Sequence, residues 1–206
     1  MPESNHHQTL ITATNPKSPV AEAYRQLRTN IQFSSLDRPL HTLMVTSTSP
    51  DEGKSTTLAN LAITMAQAER EVILVDCDLR RPTLHELFGV PNDAGLTTVV
   101  ADRDRAFPFQ ETGVPKLRLL TRGPFAPNPS ELLGSQRMAE VIEEMKAQAD
   151  YVLFDSPPII AVTDAAVLAS KVDGVLLVIW AGRTKRELAG GGILLDDIHE
   201  INLVYN

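Results

Sequence analysis

Three apolar runs, each ending in residues that handle phosphate or a divalent cation, limit what this chain can fold into. They are TLMVTSTSPDEGKST (Thr42 to Thr56), VILVDCD (Val72 to Asp78) and VLFDSPP (Val152 to Pro158). The first reads as a strand, a glycine-containing loop, and then Lys54-Ser55-Thr56, where a helix begins. Backbone N–H groups at such a helix start, together with the lysine, neutralise a polyphosphate. The other two are short and apolar on both faces, as central parallel strands are. They end in aspartates, the hard oxygen ligands that a phosphate-bound Mg²⁺ requires. Taken in this order, the three runs describe one nucleotide site.

Each position has an expected task. Gly53 lets the backbone approach the phosphates, Lys54 reaches the β- and γ-phosphates, Ser55 offers its hydroxyl to Mg²⁺, and Thr56 bonds the α-phosphate. The usual pattern has a glycine five residues before Gly53. Here Thr48 takes that place and joins the ATP-binding set. Asp51 and Glu52 are expected to point outward, because carboxylates beside phosphates weaken binding by like-charge repulsion. Strand alternation puts Asp76 and Asp78 on one face and Cys77 on the other, so both aspartates can reach the same metal. Asp155 suits a Mg²⁺ ligand acting through water. Cys77 reads as a core residue, and the five histidines show no metal-ligand spacing beyond the adjacent His6 and His7.

Composition bounds the rest. The 206 residues, 43% hydrophobic and 22% charged, suit one globular domain. Nineteen basic against 26 acidic residues give a net charge of −7, which disfavours a broad nucleic-acid surface. The single cysteine excludes an internal disulfide or a multi-cysteine zinc cage and points to a reducing compartment. No stretch approaches the roughly 20 apolar residues of a membrane span, and the start has no apolar signal core, so a soluble, cytoplasmic chain is expected.

Residues 1–19 read as a flexible arm and residues 20–206 as the domain. Val20 to Phe33 has helical spacing, with Tyr24, Leu27 and Ile31 on one stripe and Glu22, Arg25 and Arg28 on another. Strands are expected at Leu40 to Thr46, Val72 to Val75, Leu117 to Leu120, Tyr151 to Phe154, Val175 to Ile179 and Leu203 to Asn206. Helices are expected after Lys54, at Pro82 to Phe88 and at Gly95 to Val100. Asn128, Pro129 and Glu131 resemble a capping box. Ser135 caps a longer helix that buries Met138, Val141, Ile142 and Met145, and Thr163 caps one over Asp164 to Ser170. Gly190 to Gly192 interrupt a further helix at about 1 kcal/mol each. Strands alternating with helices imply an α/β fold with a doubly wound, mostly parallel sheet.

At this point the segments match a family. SPVAEAYRQLRTNI, TSTSPDEGKST, ILVDCDLRRP, GPFAPNPSELL and VLFDSPP, spanning Ser18 to about Lys185, resemble the cytoplasmic kinase domain of bacterial tyrosine kinases that govern capsule and exopolysaccharide synthesis. That group lies within the deviant P-loop ATPases, with the partition and division-site ATPases; the signature second lysine of partition ATPases is absent from Ser47 to Glu52. The resemblance implies that Lys54, Ser55 and Thr56 bind ATP and Mg²⁺ and that Asp78 and Asp155 complete the metal shell. It implies that Lys54, Asp76 and Asp78 are catalytic, with Asp76 accepting the proton of an incoming tyrosine hydroxyl. Glu22, Arg25 and Arg28 look like an ExxRxxR helix that contacts the neighbouring subunit in a homo-oligomeric ring. A membrane activator of the polysaccharide co-polymerase type is the implied partner, holding the chain at the membrane.

Two departures stand out. Asp51 lies where the family commonly has glycine, and only Tyr24, Tyr151 and Tyr205 are present where relatives carry a tyrosine-dense tail. The alternative reading is a non-kinase ATPase switch of the partition or division-site type, in which nucleotide state sets oligomerisation or partner binding.

Overall fold

The computed structural model describes residues 10–34, 40–181, 184 and 201–205. Among them the helices are α1 (Ile11–Thr14), α2 (Pro19–Ser34), α3 (Lys54–Gln67), α4 (Leu84–Phe88), α5 (Leu96–Ala101), α6 (Pro129–Gly134), α7 (Gln136–Lys146) and α8 (Asp164–Ala169). The strands are β1 (Thr42–Ser47), β2 (Val72–Asp76), β3 (Gln110–Glu111), β4 (Leu117–Leu120), β5 (Tyr151–Asp155), β6 (Gly174–Ile179) and β7 (Ile201–Tyr205). The strands form one sheet in the order β3-β4-β2-β5-β1-β6-β7. Only the short β3 runs antiparallel to its neighbour. This is the mostly parallel α/β sheet expected from the alternation of elements.

Alternation along each strand divides the core into two layers. From β2, Val72 and Leu74 join Leu10, Ile31, Leu58, Leu61 and Phe88 on the α1–α4 side. Ile73 and Val75 join Leu96, Met138, Val141, Ile142 and Leu168 on the α5–α8 side. Every residue of β1, β2 and β6 is buried, so their inner positions do not alternate apolar with charged as a half-exposed strand does. The register also builds the site: Val45 of β1 pairs with Asp155 of β5, and Asp155 pairs with Asp76 of β2. Three strand ends therefore meet side by side at the carboxyl edge of the sheet, where ligands of open α/β folds bind.

Local signals hold unevenly. Ser135 caps α7, its Oγ accepting the Met138 N–H at 3.1 Å, and all four residues expected on the buried stripe are buried. Asn128 and Pro129 do start α6, but the Asn128 side chain donates to Glu131 Oε2 at 3.1 Å instead of closing a capping box. Thr163 precedes α8 without a side-chain cap. Residues 10–19 differ from the expected arm: Leu10 is buried, and Thr12 packs on α3. Its N–H and Oγ1 both donate to Asn60 Oδ1, at 3.0 and 2.8 Å. A buried, hydrogen-bonded threonine anchors that segment to the fold. β7 is present where a final strand was expected, whereas Gly190 to Gly192 lie outside the described residues. No described helix is long and apolar enough to cross a membrane.

Candidate functional site: a phosphate loop over three carboxylates

The loop between β1 and α3 is shaped by two left-handed residues, Asp51 at φ 63° and Gly53 at φ 87°. Aspartate tolerates that region and glycine favours it. Gly53 is also the N-cap of α3 and brings no side chain to the helix end. The first-turn N–H groups at Lys54, Ser55 and Thr56 have no intrahelical acceptor by geometry. A cleft of about 620 Å³ opens over them, lined by Gly53, Lys54, Ser55, Thr56, Asp78, Arg80, Arg81, Pro157 and Pro158 among others. An open helix N-terminus facing such a cleft is an anion site.

Lys54 is 8% exposed and folds back onto carboxylates. Its Nζ lies 3.1 Å from Asp78 Oδ2 and 3.5 Å from Asp155 Oδ1, and donates to Ser55 Oγ at 3.1 Å. Burial alone pushes the ammonium's pKa down, but Asp155 and Asp78 outweigh it and hold the group more firmly charged than usual. Asp76 is wholly buried. Its Oδ2 accepts the N–H groups of Thr83 and Leu84, each at 3.1 Å, and so caps the start of α4. Burial, reinforced by the charge of Asp155, pushes the Asp76 carboxyl well up; burial likewise raises Asp155, against the pull of Lys54. Asp76 Oδ1 is buried without a hydrogen-bond partner among the described residues, and the buried Asp155 carboxylate faces the Lys54 ammonium at 3.5 Å and the Ser55 side chain.

Three carboxylates thus share one ammonium, and a buried oxygen is left over. A hard divalent cation would supply the missing positive charge, and carboxylate and hydroxyl oxygens of this kind are the donors that Mg²⁺ takes. The expected set of Lys54, Ser55, Asp76, Asp78 and Asp155 is brought together. Asp78 lines the cleft, whereas Asp76, expected to meet an incoming hydroxyl, lies beneath the floor and does not line it. Cys77 packs in the opposite core layer, as strand alternation predicts, and burial pushes its thiol up.

Two expectations about the loop are corrected. Asp51 is exposed as expected, but Glu52 turns inward and is 5% exposed. Its Oε2 accepts the N–H groups of Thr48 at 2.9 Å and Ser49 at 3.0 Å, and the Thr48 hydroxyl at 2.9 Å. Thr48 is therefore engaged with Glu52, buried, and away from the cleft lining; it is not placed to touch ATP in this conformation. A carboxylate finds a low-energy place inside a phosphate loop only where several donors converge on it.

A further group escaped sequence reasoning. Asp164, at the start of α8, has no exposed side-chain surface. Arg80 grips it with Nε to Oδ2 at 2.9 Å and Nη2 to Oδ1 at 3.2 Å, and Ser130 Oγ donates to Oδ1 at 2.5 Å. Burial pushes the Asp164 carboxyl up, but Arg80 and Ser130 together outweigh it and hold it below its ordinary 3.8. Stability from this clamp is present above that value and lost as pH falls through the depressed one. Arg80→Ala is expected to cost about 1–2 kcal/mol at neutral pH, at the lower end for a bond to a charge because the arginine is half exposed. Urea unfolding at neutral and acid pH checks it: the gap between variant and wild type must shrink in acid.

The helix stripe is mixed. Arg25 pairs with Glu22 and also reaches the Pro16 carbonyl. Arg28, expected on the exposed stripe, instead donates to the Thr64 carbonyl of α3 at 2.7 Å and is half buried. Packing of α2 on α3 turns that end of the stripe inward.

Comparison with known proteins agrees with this geometry. Residues 43–180 match the CobQ/CobB/MinD/ParA nucleotide binding domain family. Tyrosine-protein kinase YwqD of Bacillus subtilis is 46% identical over 187 residues, covering 90% of this chain and 79% of the relative. Putative tyrosine-protein kinase CapB of Staphylococcus aureus is 39% identical over 178 residues, covering 86% and 78%. The solved kinase domain of the Escherichia coli tyrosine kinase ETK superposes with a TM-score of 0.90 at 34% identity, covering 96% of this chain and 79% of that one. By sequence, fold and the presence of the lysine loop over three carboxylates, the chain belongs to the bacterial tyrosine-protein kinases within the CobQ/CobB/MinD/ParA nucleotide-binding family.

Proposed function

We propose that this chain is a Mg·ATP-dependent protein-tyrosine kinase acting in capsule or exopolysaccharide synthesis. The observation that carries the reading is the Lys54 ammonium held between Asp78 and Asp155 beneath an uncapped helix start. In this reading Lys54 and the first amides of α3 hold the β- and γ-phosphates, and Thr56 the α-phosphate. Ser55, Asp78 and Asp155 would hold Mg²⁺, which neutralises phosphate charge when bound. The tyrosine oxygen bonds to the γ-phosphorus as the bond to the β–γ bridging oxygen breaks, releasing ADP. The hydroxyl proton passes to a carboxylate. Asp78 faces the cleft in this conformation, whereas Asp76 lies under the start of α4 and serves as the acceptor only once that start shifts away from the strand end.

Incubation with labelled ATP, Mg²⁺, a tyrosine-rich peptide and the cytoplasmic tail of a membrane activator tests the reading, with an anti-phosphotyrosine probe. Phosphotyrosine on peptide or partner is expected. ATP turnover without any phosphotyrosine would reject the kinase and favour the switch ATPase.

We also propose a ring-like homo-oligomer contacted through Glu22 and Arg25, and a membrane activator as partner. Arg25→Glu is expected to shift the wild-type oligomer to monomer in sedimentation with Mg·ADP. A wild type that stays monomeric at high concentration rejects this interface. Arg28 is a poor probe, because its removal also breaks the bond to Thr64.

A further inference from the structure

One polar cluster has no part in the roles above. Glu52 sits inside the phosphate loop, yet its carboxylate faces away from the cleft and binds two separate pieces of chain. On one side are the N–H groups of Thr48 and Ser49 and the Thr48 hydroxyl, between 2.9 and 3.0 Å away. On the other is the hydroxyl of Thr184, which donates to Glu52 Oε1. Thr184 is 132 residues further along and is bonded to Trp180, directly after β6. Its Oγ1 accepts the Trp180 N–H at 2.9 Å, and its own N–H donates to the Trp180 carbonyl at 2.9 Å.

This arrangement accounts for the departure at Thr48. A glycine there shapes the usual loop through its own freedom. Here the N–H and hydroxyl of Thr48 are both drawn to Glu52, and charge-assisted bonds of this kind are short and directional. Pulling Glu52 inward leaves Asp51 and Gly53 in left-handed conformations on either side of it. The loop's shape therefore depends on a carboxylate that is itself held from the end of β6.

We infer that Glu52 and Thr184 are positioning residues that couple the end of β6, through Trp180 and Thr184, to the phosphate loop, so that this contact sets the loop's affinity for nucleotide. The inference rests on reading the Lys54 loop as the ATP site. Neither side chain touches nucleotide; both act through the amides of Thr48 and Ser49.

Thr184→Val removes the hydroxyl at nearly constant volume, and calorimetry with Mg·ADP and Mg·ATP reads the result. Affinity is expected to fall about tenfold or somewhat more, the lower end of what one lost bond to a charged group contributes. KM for ATP rises by the same factor with kcat unchanged, whereas general loosening of the fold would lower kcat and the melting temperature. Glu52→Ala is expected to weaken binding by about a hundredfold. Glu52→Gln keeps an acceptor for the two amides but not the charge, and is expected to fall between wild type and Glu52→Ala. In the Glu52→Ala background, Thr184→Val adds nothing. If Glu52→Ala does not fold, Glu52→Asp replaces it, since the shorter side chain does not span both partners. Wild-type nucleotide affinity in folded Thr184→Val, or additive losses in the double variant, overturns the coupling alone. A wild-type protein that binds no nucleotide overturns the ATP-site reading together with it.

Discussion

Lys54→Met is expected to lower Mg·ATP affinity at least a hundredfold, about 2.7 kcal/mol. The ammonium lies between Asp78 and Asp155 at the mouth of the α3 N-terminus, so one substitution removes the charge that meets phosphate and the charge that balances the carboxylates. Without it, a polyphosphate would approach Asp76, Asp78 and Asp155 unscreened, and like charges at that range repel strongly. The methionine stem refills the volume, so the fold is expected to persist. Calorimetry on variant and wild type, with circular dichroism to show folding, reads the outcome. Unchanged affinity in a folded Lys54→Met protein would remove the proposed site.

Asp76→Asn is expected to suppress phosphotyrosine formation by about a hundredfold or more while ATP affinity stays within a few-fold, because an amide is a poor proton acceptor. The same variant makes a separate prediction about stability. Its oxygen can still accept the Thr83 and Leu84 N–H groups, so the cap on α4 remains. The charge beside Asp155 is removed. Because the folded state raises the Asp76 carboxyl above its ordinary 3.8, the stability it contributes is fully present below that value and lost as pH rises through the raised one. Wild type is therefore strained at neutral pH, and Asp76→Asn should be the more stable protein there by about 1–2 kcal/mol. The difference should vanish toward acid. Thermal unfolding in chelator without nucleotide, between about pH 4 and about pH 8, measures it. A variant less stable than wild type at neutral pH would contradict the charge crowding described here.

Much of the framework follows from local pattern. Continuous apolar runs mark β1, β2, β5 and β6 because both faces of a central parallel strand are covered. The helical period of Met138, Val141, Ile142 and Met145, with Ser135 before it, specifies α7 and its cap. The lysine loop and the strand-end aspartates are legible for the same reason: phosphate and Mg²⁺ chemistry require those residue types at the ends of neighbouring parallel strands. The resemblance to bacterial tyrosine kinases rests on the same residues.

What the tertiary structure alone decided are the partners of the remaining polar groups. Asn128 and Thr163 occupy cap positions by sequence, but the first turns to Glu131 and the second makes no cap bond. Arg28 belongs to a charged stripe by spacing, and the packing of α2 on α3 delivers it to the Thr64 carbonyl. Asp76 has the composition of a cleft residue and lies under the floor because α4 starts directly above it. Arg80 meets Asp164 across 84 residues, and Glu52 meets Thr184 across 132. Main-chain periodicity is a property of neighbours along the chain, whereas a buried charge finds its partner only when strand order and register bring distant loops to the same sheet edge. In a low-dielectric interior that pairing determines whether the charge stays, and sequence spacing contains no record of it.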